Sequence, residues 1–376
     1  MEKKVKTIAF YLPQFHTIPE NDMAYGKGFT EWTNTKKAKP LFEGHLQPKT
    51  PLNENYYCLL DDGVMQSQAE LAKKYGIYGF CYYHYWFNGK KLLEKPIEKM
   101  LADKSIDIPF CLCWANENWT KRWDGGNNEI IVEQSYGDLE DIDKHIDYLS
   151  EYFSDERYIK IDGKPVFIIY RPEIIPNLID YVDRIRDRVN KKGYPGLILM
   201  SQFPQFYFEN KSLDLFDNFI QFQPLFVTAH NPNSYKNRFK RRIKNLLILL
   251  GMRETVQRIK NISEEKNKDN NLIIRSFDKD WKRILNYKVK DRRLIAGAFP
   301  NWDNTPRKLN GVLYVGSTPE KFEKYMHELK TKVEKEYESD FIFLNAWNEW
   351  AEGAILEPDT HYEYRYLEAL KNAIDK

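Results

Sequence analysis

Apolar residues recur along the chain in short runs at 5–12, 77–81, 110–114, 166–170, 197–200, 219–222, 294–299 and 341–344, each the length of a buried strand. Stretches of helical period fall between several of them, at 64–75, 92–101, 139–153 and 179–189, and Gly76 follows the first in the position of a C-terminal cap. Eight buried strands alternating with helices predict a (β/α)8 TIM barrel of the α/β class, one domain over 1–376. A doubly wound sheet alternates in the same way, but it usually carries a glycine-rich phosphate loop, and neither G-x-G-x-x-G nor G-x-x-x-x-G-K-[ST] occurs here. One segment breaks the rhythm. Between the sixth and seventh strands, 231–271 gathers Lys236, Arg238, Lys240, Arg241, Arg242 and Lys244 beside the apolar run LLILLGM, and it reads as a basic helical insertion.

A barrel places its chemistry just after its strands, and here those positions are polar and aromatic. The last run turns into Asn345, Trp347, Asn348, Glu349, Trp350 and Glu352, with Gly353 allowing a sharp turn that brings both carboxylates toward one site. Paired carboxylates between indoles point to glycoside chemistry, with Glu349 and Glu352 as the catalytic pair and the Trp and Asn side chains as sugar contacts. The other strand ends supply further candidates for substrate contact. They are Tyr11 and His16, then Glu31 and Trp32 in the long loop that follows, then His84, Tyr85 and Trp86. Trp114, Asn116, Glu117 and Trp119 follow the third strand, Arg171 the fourth, and Trp302, Asp303, Asn304 and Arg307 the seventh. Each has a structural alternative: the glutamate pair as a solvated face, Glu31 as a loop salt bridge, His84 as a buried hydrogen-bonded histidine.

Composition narrows the function. With 57 basic and 55 acidic side chains, a net charge of +2 argues against bulk nucleic-acid binding. Nine Trp, 25 Tyr and 22 Phe supply a core and leave aromatics for a cleft. No run approaches a membrane span, and the N-terminus reads as a first strand with no signal sequence, so the expected compartment is the cytoplasm. The stretch 236–253 is suited to peripheral contact with an anionic membrane surface or a lipid-linked glycan, or else to a packed excursion with a solvated basic face. Cys58, Cys81, Cys111 and Cys113 lack zinc-ligand spacing, and they are expected to be structural thiols. No metal or cofactor is expected.

Five motifs taken together, AFYLPQFH at 9–16, GFTEW at 28–32, WANENW at 114–119, DNTPR at 303–307 and WNEWAEG at 347–353, resemble the WbsX-type proteins of bacterial O-antigen and capsule gene sets. Those proteins are often described as glycosyltransferases and are similar to glycoside hydrolase family 99. The resemblance implies a barrel that cuts α-mannose-type glycans internally with retention. Glu349 is then implied to act as base on the sugar 2-hydroxyl, giving a 1,2-anhydro sugar, and Glu352 as the acid and then the base. The hydrolase motif often has His where this chain has Ala351. In those roles Glu352 needs a raised pKa, while Glu349 must stay ionised, held by Asn348 or by a cation such as Arg307. Two other readings stand beside this one: a glycosyltransferase or transglycosylase acting on a lipid-linked glycan, and a non-catalytic glycan-binding module. No D-x-D pair marks an obvious metal–diphosphate site for a nucleotide sugar.

Overall fold

The computed structural model describes residues 4–121, 129–203, 210–230, 272–308 and 310–375. Eight parallel strands form the centre: β1 (Lys6–Tyr11), β2 (Ile77–Phe87), β3 (Phe110–Trp114), β4 (Lys164–Ile169), β5 (Ile198–Phe203), β6 (Asn218–Gln221), β7 (Leu294–Ala298) and β8 (Phe341–Leu344). Each pairs with the next along the chain, β8 pairs back on β1 with Ile8 opposite Phe343, and the barrel closes. All eight strands coincide with the apolar runs of the sequence, because a strand buried on both faces has no polar side to interrupt it.

The second strand is longer than its apolar run predicts. It continues through the aromatic residues 82–87, then turns at Asn88 and Gly89, both at positive φ, and pairs antiparallel with Lys90–Leu92. An Asn-Gly pair is the preferred chemistry for such a two-residue hairpin turn. Tyr83 and Tyr85 thereby reach the C-terminal mouth of the barrel on a rigid arm.

Helices wrap the barrel where side-chain caps start them. Asp138 accepts from the backbone N–H groups of Glu140 and Asp141 to begin Leu139–Phe153, and Thr318 caps Pro319–Glu336, which has proline in its first turn. The first of these buries Ile142, Ile146, Leu149 and Phe153 against the strands. Cys81, Cys111 and Cys113 are buried and unbridged, which agrees with the structural reading of the thiols. Among the described residues no helix is long and apolar enough to cross a membrane. The basic insertion 231–271 and its stretch 236–253 lie outside the described residues.

Strand spacing leaves one position no freedom. A Cβ on Gly297 of β7 would sit 1.8 Å from the carbonyl oxygen of Gln221 on β6. Gly297→Ala is expected to lower unfolding free energy by about 1–3 kcal/mol or more through overpacking, measured by urea denaturation with the wild type alongside.

Candidate active site

The loop after β8 is pinned before it reaches the cleft. Asn345 donates to the Gln223 carbonyl at 2.9 Å, and the Trp347 N–H donates to the Phe10 carbonyl at 2.8 Å. The Asn348 amide pairs with Leu12 like an extra strand residue, accepting from its N–H at 2.7 Å and donating to its C=O at 3.0 Å. A short turn, Trp350–Glu352, then ends at Gly353 with φ 60°, where a Cβ would lie 3.0 Å from that of Asp303. The Asp303 N–H donates to the Glu352 carbonyl at 2.6 Å, so the loops after β7 and β8 are fastened together.

Asp303 itself is an anchor. Burial alone would raise its carboxyl, but hydrogen bonds from His45 at 2.8 Å, Gln47 at 2.6 Å and Thr305 outweigh that and hold it below the usual range. The His45 Nδ1 accepts from the Leu41 N–H, which leaves Nε2 to donate to Asp303. This fixed loop delivers Arg307.

One guanidinium then meets three carboxylates. Arg307 Nη2 donates to Glu31 at 2.9 Å and to Glu349 at 3.1 Å, and Nη1 donates to Glu352. Side-chain exposure is 12% for Arg307, 0% for Glu31, 8% for Glu349 and 20% for Glu352. The same Glu31 oxygen also accepts the Ala351 N–H at 2.8 Å. Burial raises the Glu349 carboxyl well above its ordinary value, the Glu352 charge adds to this, and Arg307 opposes it. Glu352 is raised too, by burial first, with Arg307 again opposing and Glu31 adding. The sequence reading placed the raised value on Glu352 alone. The structure raises both, because both carboxyls are taken out of water. One positive charge among three negative ones favours a retained proton on the glutamate pair.

Above the cluster opens a cleft of about 570 Å³ at the C-terminal mouth of the barrel. Of the predicted residues, Tyr85, Glu117, Trp119, Trp302, Asn304, Arg307, Glu349 and Glu352 line it. The others do not line this cleft. Glu31 lies behind Arg307, so the salt-bridge alternative describes it. His84, Trp86 and Trp114 face the helix layer: His84 meets His145 at 2.9 Å, Trp86 donates to Asp141 at 3.0 Å, and Trp114 donates to the Trp86 carbonyl at 3.2 Å. Period-two alternation turns Tyr83 and Tyr85 to the cleft and their neighbours away from it.

Tyr11, Trp32 and Trp350 belong to a buried polar network. Tyr11 donates to Gln68; Gln68, Tyr57 and Trp350 donate to Glu357 at 2.7, 2.8 and 2.6 Å; Trp32 donates to the Tyr57 carbonyl. His16 is buried beside the Pro13 carbonyl, and burial lowers its pKa to about 4. Trp347 packs against Phe80 in the core. Asp303, Asn345 and Asn348 are the struts already described. Asn116 holds the backbone of Arg171, which lines a neighbouring cavity with Glu117.

Sequence reasoning missed Tyr83, Tyr170, Phe222, Lys308 and Asn310, all of which line the cleft. Extending the alternation back from Tyr85 points to Tyr83. Tyr170 and Phe222 were assigned to the ends of apolar runs, where a cleft residue and a core residue look alike.

Burial pushes Glu357 up to about 7, against the hydrogen bonds it accepts. A carboxyl raised in the folded state costs stability once the unfolded chain ionises, so the Glu357 contribution falls as pH rises from about 4.5 and levels above about 7. Glu357→Gln is expected to remove this fall, which totals on the order of 3 kcal/mol, in urea denaturation free energies collected across that range.

Comparison with known proteins places the chain. The family model described as Glycosyltransferase WbsX matches residues 7–370. Two strains of Xanthomonas campestris pv. campestris have a protein called "Uncharacterized protein WxcX" that is 35% identical over 380 residues, covering 98% of this chain and 49% of theirs. The chain thus spans about half the length of these curated relatives. Among solved structures, a "Glycoside hydrolase-like protein" matches with TM-score 0.57 at 13% identity, covering 99% of this chain and 94% of that one. The GH99 endo-alpha-mannosidase from Bacteroides thetaiotaomicron matches with TM-score 0.51 at 13% identity, covering 98% and 96%. At such identities the likeness is one of fold, and it is the barrel described above. By sequence, this chain belongs to the WbsX glycosyltransferase family.

Proposed function

We propose that the chain is a retaining, endo-acting glycoside hydrolase of bacterial surface-polysaccharide metabolism, working on α-mannose-type glycans with Glu349 and Glu352. The observation that carries this reading is the bridge from Arg307 to both glutamates at the floor of an aromatic cleft. Retaining mechanisms need two carboxyl groups close together on one bond, and a shared guanidinium keeps them so. Tyr83, Tyr85, Trp119 and Trp302 offer ring faces to sugar C–H groups.

In the first step Glu349 takes the proton of the 2-hydroxyl as O2 bonds to the anomeric carbon, while Glu352 gives its proton to the departing glycosidic oxygen. In the second step water attacks the anomeric carbon and O2 leaves it. Glu352 takes the water proton, and Glu349 returns its own to O2. Each step moves one proton on and one off the pair, so a site that holds one proton on two glutamates suits it. The family description favours a second reading, in which an acceptor hydroxyl replaces water and a sugar is transferred.

Both readings are tested by mass spectrometry of products from an α-mannan oligosaccharide panel in ¹⁸O-water, with and without nucleotide sugars. Hydrolysis predicts new reducing ends carrying ¹⁸O, with turnover lower by roughly 10²–10⁴-fold in Glu352→Gln. Products that lengthen only when a nucleotide sugar is added would overturn the hydrolase reading.

A further inference from the structure

Beside the main cleft lies a second cavity of about 440 Å³, within the range of roughly 300–1,000 Å³ common for small-ligand sites. Glu117, Asn118 and Thr120 line both spaces, so they share one wall. That wall is built from paired backbone. Trp119–Thr120 pairs antiparallel with Ile130–Val132, and the Asn118 side chain accepts from the Gln134 N–H at 2.6 Å.

An ion cluster closes the inner end. Arg171 donates to Glu117 and Glu173, and Asn116 fixes its backbone from both sides, accepting from the N–H at 2.7 Å and donating to the C=O at 2.8 Å. The Tyr136 hydroxyl, which donates to the Asn116 carbonyl at 3.0 Å, stands in the same wall. The outer rim is apolar, with Ile130 49% and Ile174 38% exposed. Fixed donors and acceptors inside an aliphatic rim match a pyranose, which offers hydroxyls at its edge and C–H groups on its faces. Glu117 in the lining and Glu173 behind it both pair with the Arg171 guanidinium, so the described groups around the cavity favour a neutral sugar over a uronate or phosphate.

Resting on the reading given under Proposed function, we infer that this cavity is a distal subsite for a neutral hexopyranose unit of the same glycan whose bond is cleaved at Glu349 and Glu352. A chain that crosses the ridge of Asn118 and Thr120 fills both spaces at once. Only glycans long enough to reach across gain the second set of contacts, and the site thereby selects internal bonds of extended chains.

The test is calorimetric binding of neutral α-linked manno-oligosaccharides, from disaccharide to hexasaccharide, to Glu352→Gln protein. Ile174→Asp and Gln134→Ala are compared in that background, since neither residue lines the main cleft. The expected result is affinity that rises with length in the parent, and a loss of about tenfold confined to the longest members in Ile174→Asp, with a smaller loss in the same members in Gln134→Ala. Unchanged affinity for the short members shows that the variants are folded. Short members that bind without any gain from length, or an equal loss at every length, would overturn the subsite and leave the proposed function standing. If no member binds even the parent, the subsite and the mannose-type glycan reading fall together.

Discussion

The contact of Arg307 with Glu31, Glu349 and Glu352 is the constraint on which the site depends. Its members come from the connections after β1, β7 and β8, Glu31 at the start of the helix Glu31–Lys37, so the charge cluster can form only once the barrel has closed β8 onto β1. Taking several charges out of water costs more than one pair returns, and removing a single partner from such a cluster strands the others. The surrounding hydrogen bonds answer that cost by fixing every member. Asp303 holds the loop that carries Arg307, Asn348 holds the loop that carries the glutamates, and Ala351 gives its N–H to Glu31. Ala351 is fully buried and does not line the cleft, so this position serves the cluster through its backbone.

The same arrangement favours a proton retained on the glutamate pair. Desolvation raises Glu349 and Glu352, the Glu31 charge adds at both and the Glu352 charge at Glu349, and the Arg307 charge that opposes them is divided among three carboxylates. Another buried carboxyl, Glu357, sits in a network with Tyr57, Gln68 and Trp350. It supports the indole of Trp350 and does not reach the cleft.

The barrel was legible in the sequence because fully buried strands read as continuous apolar runs, and each of the eight strands overlaps its run. The identity of the candidate acids was legible too, through their spacing and the glycine after them. What the sequence withheld was direction. His84, Trp86 and Trp114 look like site residues by composition, yet a shift of one position along a strand exchanges cleft for helix layer, and only the settled register shows which applies. Long-range partners were equally hidden. Nothing in the chain pairs Asn348 with Leu12, Glu31 with Arg307 or Asn116 with Arg171 until the fold brings them together.

The central claim is that Arg307 sets the protonation of the glutamate pair. The most direct measurement is carboxyl-carbon NMR titration of Glu349 and Glu352 in protein labelled at glutamate, comparing wild type with Arg307→Met and assigning signals through Glu349→Gln and Glu352→Gln. Loss of the guanidinium removes the influence that lowers both groups, so the account predicts that both titrate at higher pH in Arg307→Met. Titration curves that are unchanged by the substitution, or that move to lower pH, would contradict it.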